Sequence, residues 1–168
     1  KKIYKLKKRP KNNPLICHFK NISEIKKHFY MNDLELKIGK YYWPGPLTLI
    51  LKKKKSNNIA KEVSNNSHYV GCRIPKNKTA LQLLKQLHFP IAAPSANLST
   101  KISSTRSTDI DYSLCKKIFV LKGKSKLGLE STVLQVKNNE INILRYGSIT
   151  EEELKRKFKF VKIKILKT

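Results

Sequence analysis

Apolar residues in this chain fall into short runs separated by prolines, glycines and lysine-rich stretches, and the spacing within each run predicts its element. "KKIYKLKK" (1–8) predicts the end of a helix, stopped near Pro10, because proline disfavours helix in the residue before it. "PLICHF" (14–19) predicts a strand. In "NISEIKKHF", Ile22, Ile25 and Phe29 recur at helical spacing behind polar capping residues, and "MNDLELKIGKYY" predicts a second, shorter helix. "WPGP" forces a turn, after which Leu47 to Leu51 read as a buried strand. "YVGCRIP" is another strand, ended by Pro75, and "TALQLLKQLHFP" an amphipathic helix with Leu81, Leu84 and Leu87 on one side. "PIAA" predicts a very short buried strand. Further strands are expected at "KIFVLKG", "STVLQV" and "INILRYG", the last two paired as a hairpin through "KNNE". Thr150 and Glu153 predict a capping box for a last helix, and "KFVKIKIL" alternates as an edge strand. With no internal repeat and no linker, the irregular alternation predicts one α/β domain over residues 1–168, built on a mixed sheet.

Composition narrows the class. At 168 residues the chain is long enough for one real core. Its longest apolar run, "WPGPLTLIL", falls far short of the roughly 18–20 residues that span a bilayer, so no membrane segment is expected. Cys17, Cys72 and Cys115 lie far apart, as do the four histidines, which supports neither a disulfide framework nor a metal site. Reduced, buried thiols and the lack of a secretory signal suit a cytoplasmic protein. The formal charge of +26 favours polyanions such as tRNA, other RNA and nucleotides. Compositional drift offers the blander account, since Lys, Asn and Ile dominate together. The distribution says more than the total: no Asp or Glu occurs from Lys1 to Ser23 or from Val63 to Thr108.

Most of the candidate chemistry sits in those acid-free stretches. "PSAN" places Ser95 and Asn97 on one side of an extended segment, beside the small Ala93 and Ala96. They can donate to anionic oxygens there, or simply form a turn. Lys7 and Arg9 present cations at a helix end, where a solvated basic terminus would also be stable. Arg73 and Arg145 end otherwise apolar strands, which suggests a carboxylate or phosphate partner, or else a structural Glu. His18, taken alone, reads as a core or rim histidine.

Together, "KKRPKNNPLICHF", "YYWPGPLTLIL", "VGCRIPKN", "PIAAPSANLST", "LESTVLQV" and "ILRYGSIT" resemble the YrdC-like family in order and spacing, from Lys1 to Ile149. The resemblance implies a twisted mixed β-sheet with flanking helices and a basic concave pocket. It also implies a threonylcarbamoyl-AMP synthase, which condenses L-threonine, bicarbonate and ATP into threonylcarbamoyl-AMP and pyrophosphate. The product would serve a downstream threonylcarbamoyl transferase in tRNA modification, with tRNA contact through the basic surface. By position, Lys7, Arg9, Ser95 and Asn97 match the family's Lys-x-Arg and Ser-x-Asn tetrad. Arg9, Asn13, Ser95, Ser103 and Arg145 fall where the family contacts ATP; His18, Arg73 and Ser131 fall where it contacts threonine. An RNA-binding module on the same fold, without synthase activity, is the alternative. The related carbamoyl-adenylate chemistry of hydrogenase-maturation carbamoyltransferases goes with zinc-finger modules that this sequence lacks.

The residues fit such chemistry on physical grounds. Repulsion between a carbamate and ATP, and the lost freedom of bringing them together, are the obstacles, and a cationic, hydroxyl-lined pocket addresses both. Only Glu130 is acidic within the motif segments, so a carboxylate metal site is not expected and Mg2+ should be carried by the ATP phosphates. No nucleophile–base pair points to a covalent intermediate. The sequence also departs from the family pattern. Lys8 stands where glycine is common, Tyr146 where proline is, and Tyr69 where a small hydroxyl residue is usual. The family's opening strand and its "Thr-x-Thr-Val-Tyr-Gly-Leu"-like segment have no counterpart, so the chain is expected to be truncated at its N-terminus.

Overall fold

The computed structural model describes residues 1–96, 110, 116, 118–121 and 130–166. In chain order they form α1 (Lys2–Leu6), β1 (Ile16–His18), α2 (Ile22–His28), α3 (Asp33–Tyr42) and β2 (Leu47–Lys52). A single 3-10 turn (Lys61–Val63) leads to β3 (Tyr69–Arg73), α4 (Lys78–Gln86) and β4 (Ile91–Ala93). β5 (Thr132–Lys137), β6 (Glu140–Arg145), α5 (Glu151–Lys157) and β7 (Ile163–Ile165) complete the set.

Short polar side chains start α2, α3, α4 and α5. Asn21 accepts from the Glu24 N–H at 2.9 Å, Asn77 from Ala80 at 3.0 Å and Thr150 from Glu153 at 3.2 Å. The reciprocal capping box is complete at α3, where Asn32 and Glu35 each accept the other's backbone N–H at 2.8 Å. That box and the stop before Pro44 make α3 ten residues long against seven for α2, so it is the longer of the two, not the shorter. Between β5 and β6, Asn138 and Asn139 take φ of 52° and 57°, as a two-residue hairpin turn requires.

The seven strands form one mixed sheet in the order β4-β1-β3-β2-β5-β6-β7. β1 and β3, β2 and β5, and β6 and β7 pair in parallel; the other neighbours are antiparallel. Alternation divides the sheet sharply. One face carries Cys17, Cys72, Leu47, Leu49, Leu51, Leu134, Ile141 and Ile143, all buried. Ile25, Phe29, Ile38, Tyr42, Leu154 and Phe158, from α2, α3 and α5 and their ends, belong to the same core. The opposite face carries Ile16, His18, Gly71, Arg73, Ile50 and Val133, and most of these side chains are only half-buried.

Three local expectations change. "PIAA" supplies the sheet's edge, so β4 is half-buried rather than buried, paired only with β1. In "KIFVLKG" the described residues 118–121 are not strand, and Phe119 is 90% exposed. Leu87 leaves α4 in an extended conformation, so only Leu84 of that helix is fully buried. Cys17 and Cys72 are free and buried, as expected; Cys115 lies outside the described residues.

Candidate active site

The sequence-predicted site residues gather on the half-open face of the sheet, at the end where β1 and β3 finish and β2 and β5 begin. Parallel pairing sets His18 beside Arg73, and antiparallel pairing sets it beside Ile91 of β4. One step outward from the Leu49–Cys72 pair, Thr48 of β2 continues the row. Thr48 pairs in register with Val133, and its hydroxyl lies 2.7 Å from that of Ser131. Arg145 reaches the same face through an irregularity in the β5–β6 pairing. Leu134 opposes Ile143, yet Val133 opposes Arg145, so one extra residue on β6 turns Arg145 away from the core side.

Each cation is held mainly by neutral acceptors. Arg73 donates through Nε to the Gly45 carbonyl at 3.2 Å. Arg145 donates to the Ser131 carbonyl from Nε at 3.2 Å and from Nη2 at 2.8 Å, and to Ser131 Oγ at 3.1 Å. Its Nη1 also pairs with Glu130, both side chains being partly exposed. The sequence left each arginine open to an anionic ligand or a structural Glu. Arg145 has the Glu; among the described residues Arg73 has no carboxylate. A carbonyl orients a guanidinium without neutralising it, so the charge remains available to an anion.

Lys7 and Arg9 are delivered by the end of α1. Lys8 takes φ of 49°, the Arg9 N–H bonds the Tyr4 carbonyl at 3.0 Å, and the Lys8 N–H bonds Lys5 at 3.3 Å. This left-handed helix stop sends Lys7 inward and Arg9 outward. Lys7 is 8% exposed, not the solvated terminus that a basic helix end suggests, and its ammonium donates to the Ser95 carbonyl. Arg9 folds onto Asn13, with Nη2 2.5 Å from Oδ1 and Nε 3.1 Å from the carbonyl, and bonds the Pro14 carbonyl at 2.8 Å. Lys7, Arg9, Asn13 and Ser95 therefore share one corner, and His18, Arg73, Ser131 and Arg145 another. Asn97 and Ser103 lie outside the described residues.

Electrostatics link the two corners. Burial lowers the Lys7 pKa, with the Arg9 charge adding to it and Glu130 opposing. Burial, then the nearby Arg145 charge, lowers that of Arg73. His18 is pushed down to about 4, first by burial and then by Arg73, so it is neutral at physiological pH. Its Nδ1 is buried without a hydrogen-bond partner among the described residues. Burial raises both Cys17 and Cys72, which leaves them unreactive thiols on the core side. Among the described residues no group of three His, Cys, Asp or Glu side chains is placed to hold a metal ion, and no helix is long and apolar enough to cross a membrane.

Two residues on this face escaped the sequence reading. Thr48 looked like one more residue of a buried strand, and only its place on the half-open face gives it away. Gly71 forms the floor: a Cβ there would stand 3.1 Å from the Thr48 methyl carbon and 3.5 Å from side-chain atoms of Ile16 and Ile50.

Residues 1–147 match the Sua5_yciO_yrdC family model, described as telomere recombination. The threonylcarbamoyl-AMP synthase of Bacillus subtilis is 39% identical over 157 residues, 92% of this chain and 45% of the relative. A putative threonylcarbamoyl-AMP synthase of Methanocaldococcus jannaschii is 36% identical over 93% of this chain and 73% of its own length. Among solved structures, Pyrococcus abyssi Sua5 complexed with L-threonine superposes with a TM-score of 0.83 at 31% identity, over 96% of this chain and 48% of that one. The chain thus spans about half the length of the Bacillus and Pyrococcus proteins.

Proposed function

This chain belongs to the Sua5/YciO/YrdC family, and we propose that it carries L-threonylcarbamoyladenylate synthase activity, a nucleotidyl transfer from ATP. The observation that carries the reading is the convergence, on one half-open sheet face, of cations tethered mostly by carbonyls. In the reaction, the L-threonine amine and bicarbonate form a carbamate, a C–N bond replacing a C–O bond as water leaves, and the carbamate oxygen attacks the α-phosphorus of ATP. The bond to the β-phosphate side breaks and pyrophosphate leaves with the electron pair.

The chain's residues divide that work. Lys7, Arg9, Asn13 and Ser95 hold the phosphates from one corner and Arg145 reaches them from the other; Asn97 and Ser103 join them by resemblance. His18, Arg73 and Ser131 hold threonine, the arginine taking its carboxylate. A neutral His18 leaves the threonine amine free of a competing cation. Catalysis is then positioning and charge stabilisation, without a protein nucleophile. Mg2+ enters as part of the substrate, on the ATP phosphates. Support comes from the acid count: Glu130, the acidic residue beside the pocket, is already engaged by Arg145.

The product is consumed by a threonylcarbamoyl transferase acting on tRNA. A tRNA contact suits the far end of the same face, where exposed Tyr69 opposes Lys52 and the Tyr30 N–H bonds the Lys52 carbonyl at 2.9 Å. The reading is tested by pyrophosphate release from ATP with bicarbonate and Mg2+, with L-threonine present or omitted. It is run on this chain and on one extended toward the length of its relatives. Threonine-dependent release is expected, and Arg73→Met should lower kcat/KM about ten- to a hundredfold. Release indifferent to threonine would overturn the reading. Salt-sensitive tRNA binding without any release would favour the RNA-binding alternative.

A further inference from the structure

We propose that Thr48 is the positioning residue of the pocket: wedged between Gly71 and Ser131, its hydroxyl fixes Ser131 and, through Ser131, the orientation of Arg145. The proposal rests on the reading above for its substrates, but its geometry stands apart from them.

Thr48 is 0% exposed and Ser131 1%, and their hydroxyl oxygens are 2.7 Å apart. Such a short contact between buried hydroxyls is a hydrogen bond, and leaving either group unpaired there is costly. A β-branched side chain has few rotamers in a strand, so the position of one γ-atom dictates the other. Gly71 decides which. It leaves a hollow on β3, and the Thr48 methyl carbon points into it, 3.1 Å from where a Cβ would sit. With the methyl toward β3, the hydroxyl must face β5, where Ser131 lies.

Ser131 in turn touches Arg145 twice, accepting at Oγ from Nη2 at 3.1 Å and at its carbonyl from Nε and Nη2. Gly147 presses the following turn onto the same spot. A Cβ at Gly147 would lie 2.4 Å from the Glu130 carbonyl oxygen and 2.4 Å from the Thr132 nitrogen. The Ser131 backbone is therefore fixed by packing, while its side chain is fixed by Thr48. A guanidinium held in this way meets an anion without first having to be ordered.

Two variants separate the hydroxyl from the methyl. Thr48→Val keeps the methyl in the Gly71 hollow and removes the hydrogen bond; Thr48→Ser does the reverse. The readouts are the KM and kcat for L-threonine and ATP, and the side-chain Nη2–H signal of Arg145, the group that bonds Ser131 Oγ, by nuclear magnetic resonance at low temperature. The wild type should show a slowly exchanging Arg145 Nη2–H. Thr48→Val should lose that protection and raise KM about three- to tenfold with a smaller change in kcat. Thr48→Ser should restore both. Unchanged KM and protection in Thr48→Val would overturn the proposal. So would a Thr48→Ser variant as impaired as Thr48→Val, since packing would then be the cause. If the wild type binds neither threonine nor ATP, the functional reading falls, and the Arg145 signal alone still decides the role of Thr48.

Discussion

β1, β3, β2 and β5 build two different surfaces out of alternating residues. On the core side Cys17, Cys72, Leu49 and Leu134 stack as an unbroken apolar layer, each 2% exposed or less. One residue along each strand, His18, Arg73, Thr48 and Val133 face the pocket. The core side depends on volume and apolarity, which many side chains can supply. The pocket side depends on single atoms: a carbonyl under Arg73, a hydroxyl beside Ser131, a missing Cβ at Gly71. Stability should therefore respond to the first surface and affinity to the second, even for adjacent residues of one strand.

The sharpest break of that comparison is a pair of truncations in β5. Leu134→Ala removes a fully buried side chain and should cost about 2–5 kcal/mol. Val133→Ala, one residue earlier on the half-open face, should cost about 1 kcal/mol or less. Urea unfolding followed by circular dichroism measures both. Equal losses would mean that the pocket side is as much a packed core as the other.

Histidine 18 tests the pocket side through pH. Its folded pKa is about 4 against 6.5 unfolded, so as pH falls the unfolded chain takes up the proton first. Stability from this group is intact above pH 6.5, is lost progressively down to about pH 4, and is constant below. The full loss is about 3 kcal/mol. The difference in unfolding free energy between wild type and His18→Gln should change across that window. A difference flat with pH would mean that His18 takes up its proton in the fold as readily as in the unfolded chain, and that its surroundings are more hydrated than its burial implies.

Much of this was legible beforehand, and the exceptions have physical causes. Helix starts at Asn21 and Thr150 and the Asn138–Asn139 hairpin follow from local chemistry, which a sequence shows directly. The relative length of α3 depended on a complete capping box and on Pro44, and short apolar spacing understated it. β4 looked buried because "PIAA" is apolar, but an edge position is a property of the whole sheet. Lys7, Arg9, Arg73, Ser95, Asn97 and Arg145 stood out by residue type, but only the resemblance chose the ligand reading over the structural one, since a lone Arg or His in a strand carries no partner in its own sequence. The turning of Arg145 by the β6 irregularity, and the burial of Lys7, depend on pairing and tertiary contact. Thr48 was missed for the same reason: hydropathy cannot tell which face of a strand a residue takes.

The smallest effect concerns a place where both surfaces depend on one backbone conformation. Lys8 holds φ of 49° at the end of α1, between the buried Lys7 and the half-exposed Arg9. An L-residue there costs roughly 1–2 kcal/mol, which is the physical reason for glycine at the equivalent position in the family pattern. Glycine gives back part of that gain, about 0.5–1 kcal/mol, through the freedom it adds to the unfolded chain. Lys8→Gly should therefore stabilise the protein by a few tenths to about 1 kcal/mol, read as a rise in thermal midpoint. Because the left-handed turn is kept, Lys7 still reaches the Ser95 carbonyl and Arg9 still folds onto Asn13, so substrate affinity should not move. Lys8→Val, with its branched Cβ, should move stability the other way and loosen both contacts at once. If Lys8→Gly instead weakened affinity with stability unchanged, the Lys8 ammonium itself would belong to the pocket, and the α1 end would supply three cations rather than two.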